Sequence, residues 1–147
     1  MKLYLDLCVY NRPFDHQGQE RIALETNAFI YILEMVEKGT YNVIASEALL
    51  YENSRNTDEQ RKIRIADYFR LANEFIRVNK PDIERAKVLK GLGLFDIDAL
   101  HIALAEKSEV DYFITCDDEI TKVYKKRQNV IKVSVVGLTE FIGLEVK

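Results

Sequence analysis

Lys2-Leu-Tyr-Leu-Asp-Leu7 is a strand-length run that is apolar at nearly every position after its first, and the Asn11-Arg-Pro-Phe-Asp15 segment beyond it is rich in turn residues. A strand whose two faces are both apolar is buried on both faces, the situation of a parallel sheet covered by helices. The segment therefore predicts a buried strand ending near Asp6.

Working outward, Ile22, Ala23, Phe29, Ile30, Leu33 and Val36 recur at helical spacing between Glu20 and Lys38, and Gly39 is available as a C-terminal stop. Tyr41-Asn-Val-Ile-Ala45 is a second short strand, and Ser46 is placed to cap a helix carrying Ala48, Leu49 and Glu52. Ile65, Ala66, Phe69, Leu71 and Ala72 predict a helix over Asp58 to Phe75, and Pro81 suits the first turn of another running towards Lys90. A helix from Ile97 to Lys107, a strand Tyr112–Thr115, a helix Glu119–Arg127 and a strand Val130–Val136 complete the pattern. Helices alternating with short apolar strands predict an α/β fold: a three-layer α/β/α arrangement around a mostly parallel sheet of about five strands.

Composition bounds the function. The 147 residues are the size of one domain, 1–147. No apolar run approaches the roughly 20 residues of a membrane span, and the chain opens on a strand instead of a signal segment, so a cytoplasmic location is expected. Two cysteines, Cys8 and Cys116, read as reduced, buried thiols. A net charge of −3 argues against holding nucleic acid by a broadly basic surface. Contact with nucleic acid has to be local or metal-assisted.

In an open α/β sheet, reactive groups collect beyond the carboxyl ends of the strands. That rule brings Asp6 and Asp117 to one edge, with Asp98 in the first turn of a helix that starts near it. Acids gathered without Lys or Arg raise one another's pKa and resist burial while charged. A hard divalent cation relieves the conflict, and Mg²⁺ takes oxygen ligands while keeping several waters, which suits a cluster that also meets a phosphate.

These residues also carry a resemblance. Leu5-Asp-Leu-Cys-Val-Tyr-Asn-Arg-Pro-Phe-Asp15, Ser46 followed by Tyr51-Glu52, Asp98-Ala-Leu-His-Ile-Ala-Leu-Ala105 and Phe113-Ile-Thr-Cys-Asp-Asp118 stand in the order and context of a PIN domain, over nearly the whole chain. The chain resembles the VapC-like ribonucleases of that family. The resemblance implies hydrolysis of RNA phosphodiester bonds with Mg²⁺ or Mn²⁺, held by Asp6, Glu52, Asp98 and Asp117 as metal-binding, catalytic acids. It implies a homodimer, and either the toxin of a toxin–antitoxin pair, with a small antitoxin protein covering the acids, or a free-standing RNA-processing enzyme. One departure stands out: the family usually has a hydroxyl residue directly after the first Asp, where this chain has Leu7. A PIN-fold binding or assembly module without activity is the alternative reading, and Leu7 is its one hint. A phosphatase whose first strand ends in two aspartates flanking one residue is disfavoured, because Cys8 stands at the second position.

Other features have plainer readings. Asp96 is read as a helix cap, and Asp118 and Glu119 as acids favoured by a helix N-terminus. Glu47, beside Ser46, is expected to face solvent, and His101 to be packed and hydrogen-bonded. Cys8 and Cys116 lack the partners of a zinc site. Gly91-Leu-Gly93 lacks the remaining residues of a phosphate loop and joins two helices. Arg61-Lys62-Arg64 and Lys122, Lys125-Lys126-Arg127 are expected to be solvated faces, while Arg12, just after Asp6, is a candidate RNA phosphate contact.

Overall fold

In the computed structural model, which describes residues 1–146, five strands form one sheet: β1 (Lys2–Leu5), β2 (Asn42–Ser46), β3 (Glu74–Ile76), β4 (Tyr112–Thr115) and β5 (Val135–Gly137). The order across the sheet is β3-β2-β1-β4-β5 and every pairing is parallel. Eight helices connect and flank the strands: α1 (Leu7–Asn11), α2 (Glu20–Glu37), α3 (Glu47–Ser54), α4 (Glu59–Phe69), α5 (Lys80–Lys90), α6 (Asp96–Lys107), α7 (Asp118–Lys126) and α8 (Leu138–Glu145). This is the three-layer α/β/α arrangement predicted from the apolar strands.

β1 is central, between β2 and β4, and Leu3, Tyr4 and Leu5 are fully buried. The run of apolar residues is thus explained by position: helices cover both sides of this strand, so no residue needs to be polar. Successive strands leave β1 towards β2 and β3 on one side and towards β4 and β5 on the other. The order reverses between β1 and β4, and the crevice beyond their carboxyl ends is where such sheets place their ligands.

Several boundaries obey local chemistry that periodicity does not carry. The helix expected to reach Phe75 stops at Phe69, and Glu74–Ile76 is a strand instead. Asn73 makes the conversion: its N–H donates to the Val43 carbonyl at 2.9 Å, and its side-chain oxygen accepts from the Val43 N–H at 2.9 Å, so the chain docks on β2 before the helical pattern has run out. β3 is a three-residue edge strand with Phe75 exposed, which is why its sequence lacks the apolar signature of the central strands. The strand expected over Val130–Val136 is Val135–Gly137. Residues before it are held by side chains, with Arg85 donating to the Val130 carbonyl at 2.7 Å and Glu106 accepting from the Lys132 N–H at 2.7 Å.

Turn and cap chemistry accounts for other ends. Gly39, at φ +79°, ends α2 in a left-handed conformation, and Gly93, at φ +112°, turns the chain between α5 and α6. Ser46 caps α3 by accepting from the Leu49 N–H at 3.2 Å. Asp96 does not cap α6: it is the first residue of that helix, Phe95 holds the cap position without a side-chain bond, and the Asp96 carboxylate pairs with Lys90 at 2.8 Å. Helix α7 begins at Asp118, one residue earlier than expected, with Asp117 as its cap. No described helix is long and apolar enough to cross a membrane.

Candidate metal centre

Asp6 follows β1 directly and caps α1, accepting from the Leu7 N–H on Oδ1 at 2.8 Å. Its own N–H continues the sheet, donating to the Ile114 carbonyl at 2.9 Å, which pins the residue between β1 and β4. On the other oxygen, Oδ2 accepts from the Thr115 hydroxyl at 2.7 Å, with the Cys8 thiol at 3.4 Å. The residue is only 4% exposed. Burial pushes its carboxyl above the usual aspartate range; Glu52 adds to that push, and His101 with the Thr115 hydroxyl opposes it.

Thr115 answers the departure at position 7. Leu7 brings no hydroxyl to Asp6, but Thr115, at the end of the neighbouring strand, does. The same oxygen accepts from the Asp117 N–H at 3.0 Å, so one buried hydroxyl joins the loops that follow β1 and β4. Asp117 then accepts from the Glu119 N–H at 2.9 Å as the cap of α7. Cys8 and Cys116 are free thiols, and Cys8 Sγ accepts from the Cys116 N–H at 3.1 Å. Both serve the packing of these two loops.

Asp98 lies in the first turn of α6 and is half-buried. Its carboxyl is pushed up to about 7, first by burial and then by the charges of Asp6, Asp117 and Glu52. The three other predicted acids thus all act on Asp98. Among the described residues, no Lys or Arg forms an ion pair with Asp6, Glu52, Asp98 or Asp117.

Glu52 reaches inward from α3, and its Oε1 lies 2.8 Å from His101 Nε2. His101 is fully buried, with Nδ1 2.7 Å from the Tyr4 hydroxyl, which in turn lies 2.6 Å from Ser46 Oγ. Burial raises the Tyr4 pKa well above its ordinary value, so its hydroxyl keeps its proton. One consistent assignment has Ser46 donating to Tyr4, Tyr4 to His101 Nδ1, and His101 Nε2–H to the Glu52 carboxylate. Each link is satisfied, and Glu52 is held from behind.

Ligand atoms of Asp6, Glu52 and His101 all lie within 4.8 Å of one another. His101 is nevertheless better read as a holder of Glu52 than as a ligand. Both ring nitrogens are engaged, and the hard cations that suit a carboxylate cluster prefer oxygen. Asp98 and Asp117 lie outside that tight set and bear on it through charge. The oxygens of the four acids fit Mg²⁺ or Mn²⁺: among the described residues none carries a Lys or Arg partner, and they sit where the sheet reverses.

The other predicted positions are distributed elsewhere. Arg12 is turned to structural work, with Nε 2.8 Å from Glu25 and Nη1 2.7 Å from Asp15. Arg61 is no solvated side chain: it binds Asp15 at 3.0 Å and the Phe14 carbonyl at 2.6 Å. Glu47 is exposed and accepts from the Val78 N–H at 2.8 Å. Asp118 is gripped by Arg21 at 2.8 and 2.9 Å, which holds its carboxyl below the usual range. Arg21 also donates to the Cys116 carbonyl at 2.9 Å, tying α2 to the loop after β4. Sequence reasoning passed over Thr115, Tyr4 and Arg21 because a threonine, a tyrosine and an arginine inside or beside apolar runs carry no periodic signal of their partners.

An open parallel sheet with carboxylates that lack Lys or Arg partners, gathered at its reversal point, defines a class of domain that concentrates negative charge. The chain belongs to the PIN domain family, whose profile matches residues 5–126. Twelve solved chains are similar in structure. One is a chain of VapBC2 from Rickettsia felis, crystallised bound to a DNA fragment from its promoter, with 16% identity and a TM-score of 0.57 over 93% of this chain and 98% of that one. At that identity the likeness speaks for the fold alone. No curated protein matches the chain.

Proposed function

We propose that the protein is a ribonuclease that hydrolyses RNA phosphodiester bonds with Mg²⁺ or Mn²⁺ held by Asp6, Glu52, Asp98 and Asp117. The observation that carries this reading is that no Lys or Arg among the described residues pairs with any of these acids, at the point where the sheet reverses. A bound divalent ion supplies the charge that lowers the pKa of water and stabilises attacking and leaving oxygens. The chain's own contribution is arrangement. Leu7 N–H takes one Asp6 oxygen and the Thr115 hydroxyl, with the Cys8 thiol, the other, and all of them are neutral donors that orient the carboxylate without cancelling its charge. His101 fixes Glu52 in the same manner, and Asp98 gives up its proton near neutral pH.

The toxin of a toxin–antitoxin pair is the biological setting this reading favours, with a small antitoxin protein covering the acids and a cytoplasmic homodimer as the working form. A PIN-fold assembly module without activity has less support, because the hydroxyl missing at Leu7 is supplied to Asp6 by Thr115. The test is cleavage of single-stranded RNA in Mn²⁺. Wild type cuts, EDTA silences it, and Asp6→Asn is inactive with its melting temperature kept or raised. Chelator-insensitive cleavage, or an Asp6→Asn protein that cuts like wild type, would remove the proposal.

A further inference from the structure

Phe95 is 75% exposed, an unusual fate for a phenylalanine, and it occupies the cap position of α6 without making a side-chain capping bond. Ser, Thr, Asp or Asn at that position would supply such a bond, so the fold gains nothing from an aromatic ring there. Its location is specific. The ring lines a groove of about 540 Å³ with Tyr51, Glu52, Arg55, Asp96 and Ile97. It also lines a second of about 300 Å³ that contains Asp98 and Glu119. Phe95 therefore stands between a groove that reaches Glu52 and one that reaches Asp98.

Tyr51 in the first groove is 58% exposed, and the Arg55 guanidinium lies over its ring at 5.9 Å with Nη1 3.0 Å from its hydroxyl. Besides Glu52, the groove wall carries Asp96, which is paired with Lys90 at 2.8 Å. The surface next to the carboxylates thus offers two exposed rings and a cation. Single-stranded nucleic acid is bound by such surfaces, because unstacked bases lie on aromatic faces while cations meet the backbone.

We infer that Phe95, with Tyr51 and Arg55 in the same groove, is a stacking platform for the bases of single-stranded RNA that flank the scissile phosphate. The inference rests on the ribonuclease reading above and adds the positioning of substrate to it. Paired RNA is excluded from this platform, since its bases are already stacked.

The experiment is a cycle of protein and RNA changes, run in Mn²⁺ with wild type, Phe95→Ala and Phe95→Trp. The substrates are an oligoribonucleotide and versions carrying an abasic ribose at each nucleotide flanking the mapped cut. Phe95→Ala is expected to lose roughly 5- to 100-fold in kcat/KM on intact RNA, in line with the worth of one stacked base, and Phe95→Trp to recover most of it. With one abasic position, wild type and Phe95→Ala cut at equal rates. Wild-type-like cleavage of intact RNA by Phe95→Ala overturns the platform, as does an equal loss on every abasic substrate. If that variant cuts normally but changes the mass seen by light scattering, the ring belongs to a protein interface and the platform is likewise overturned. Failure of the wild type itself to cut RNA overturns the ribonuclease reading, and the platform with it. Because the side chain is exposed, the melting temperature should be unchanged and serves as the control for folding.

Discussion

Asp98→Asn should make the metal-free protein more stable at alkaline pH, and the structure sets both sign and size. The Asp98 carboxyl titrates at about 7 in the fold against an ordinary 3.8, because burial and the charges of Asp6, Asp117 and Glu52 disfavour its ionised form. A folded-state pKa above the unfolded one means that the fold binds the proton more tightly. Stability is therefore intact below 3.8, declines as pH rises through about 7, and stays reduced above it. The full separation corresponds to an upper limit of about 4 kcal/mol. Asp98 is only half-buried, so solvent screening brings the expected penalty to about 1–2 kcal/mol. Asparagine keeps the shape and removes the charge. In EDTA at pH 8 the variant should melt roughly 3–8 °C above wild type, and at pH 4.5 the two should nearly coincide. Adding Mn²⁺ at pH 8 should reverse the order, raising wild type far more than the variant. Thermal unfolding by circular dichroism at both pH values decides the matter. If Asp98→Asn is no more stable than wild type at pH 8 in EDTA, or gains as much at pH 4.5, the acids do not repel one another as argued.

Thr115→Val keeps the shape of the side chain but removes the hydroxyl that donates to Asp6 and accepts from Asp117 N–H; it should cost about 1–3 kcal/mol in unfolding by denaturant and weaken Mn²⁺ binding roughly 10- to 100-fold by calorimetry. Unaltered Mn²⁺ affinity would show that the Asp6 orientation does not depend on that bond. His101→Leu removes both bonds of the buried ring; a loss of about 1–3 kcal/mol in stability is expected from the stranded Tyr4 hydroxyl, with cleavage down roughly 10- to 100-fold because Glu52 loses its anchor. His101→Gln, which can still donate to Glu52, should recover part of the activity, and equal activity in the two variants would count against a holding role.

The fold was largely legible because its decisive strands are central. Leu3, Tyr4 and Leu5 of β1 and Phe113 and Ile114 of β4 are fully buried between helical layers, so the middle of each strand is apolar without interruption. β3 was not legible for the opposite reason: Glu74 and Phe75 lie exposed on an edge, where nothing enforces an apolar pattern, and helical periodicity in α4 ran past its true end. Acids were easier to find than their supports. Strand ends and helix starts mark Asp6, Asp98 and Asp117, whereas the bonds that orient them come from residues far away in sequence. Thr115 lies 109 positions from Asp6, and His101 lies 49 from Glu52, so neither pairing has a local signature.

Those distant supports explain how a domain of this size can keep buried carboxylates in place. Asp6 sits in a layer where an unpartnered charge would be strongly disfavoured, yet backbone N–H, hydroxyl and thiol all point at it, none of them bringing a formal positive charge. Neutral donors orient a carboxylate without cancelling it. A lysine or arginine paired with these acids would leave less charge for a cation to meet. The Ser46–Tyr4–His101 chain does the same for Glu52 through hydroxyls and an imidazole. Arginines occur nearby, but Arg12 and Arg21 pair with Glu25, Asp15 and Asp118 and not with the four acids. Thr115 is itself fully buried, so a short hydroxyl fits there where a longer cationic side chain would overpack the strand and bury a second charge.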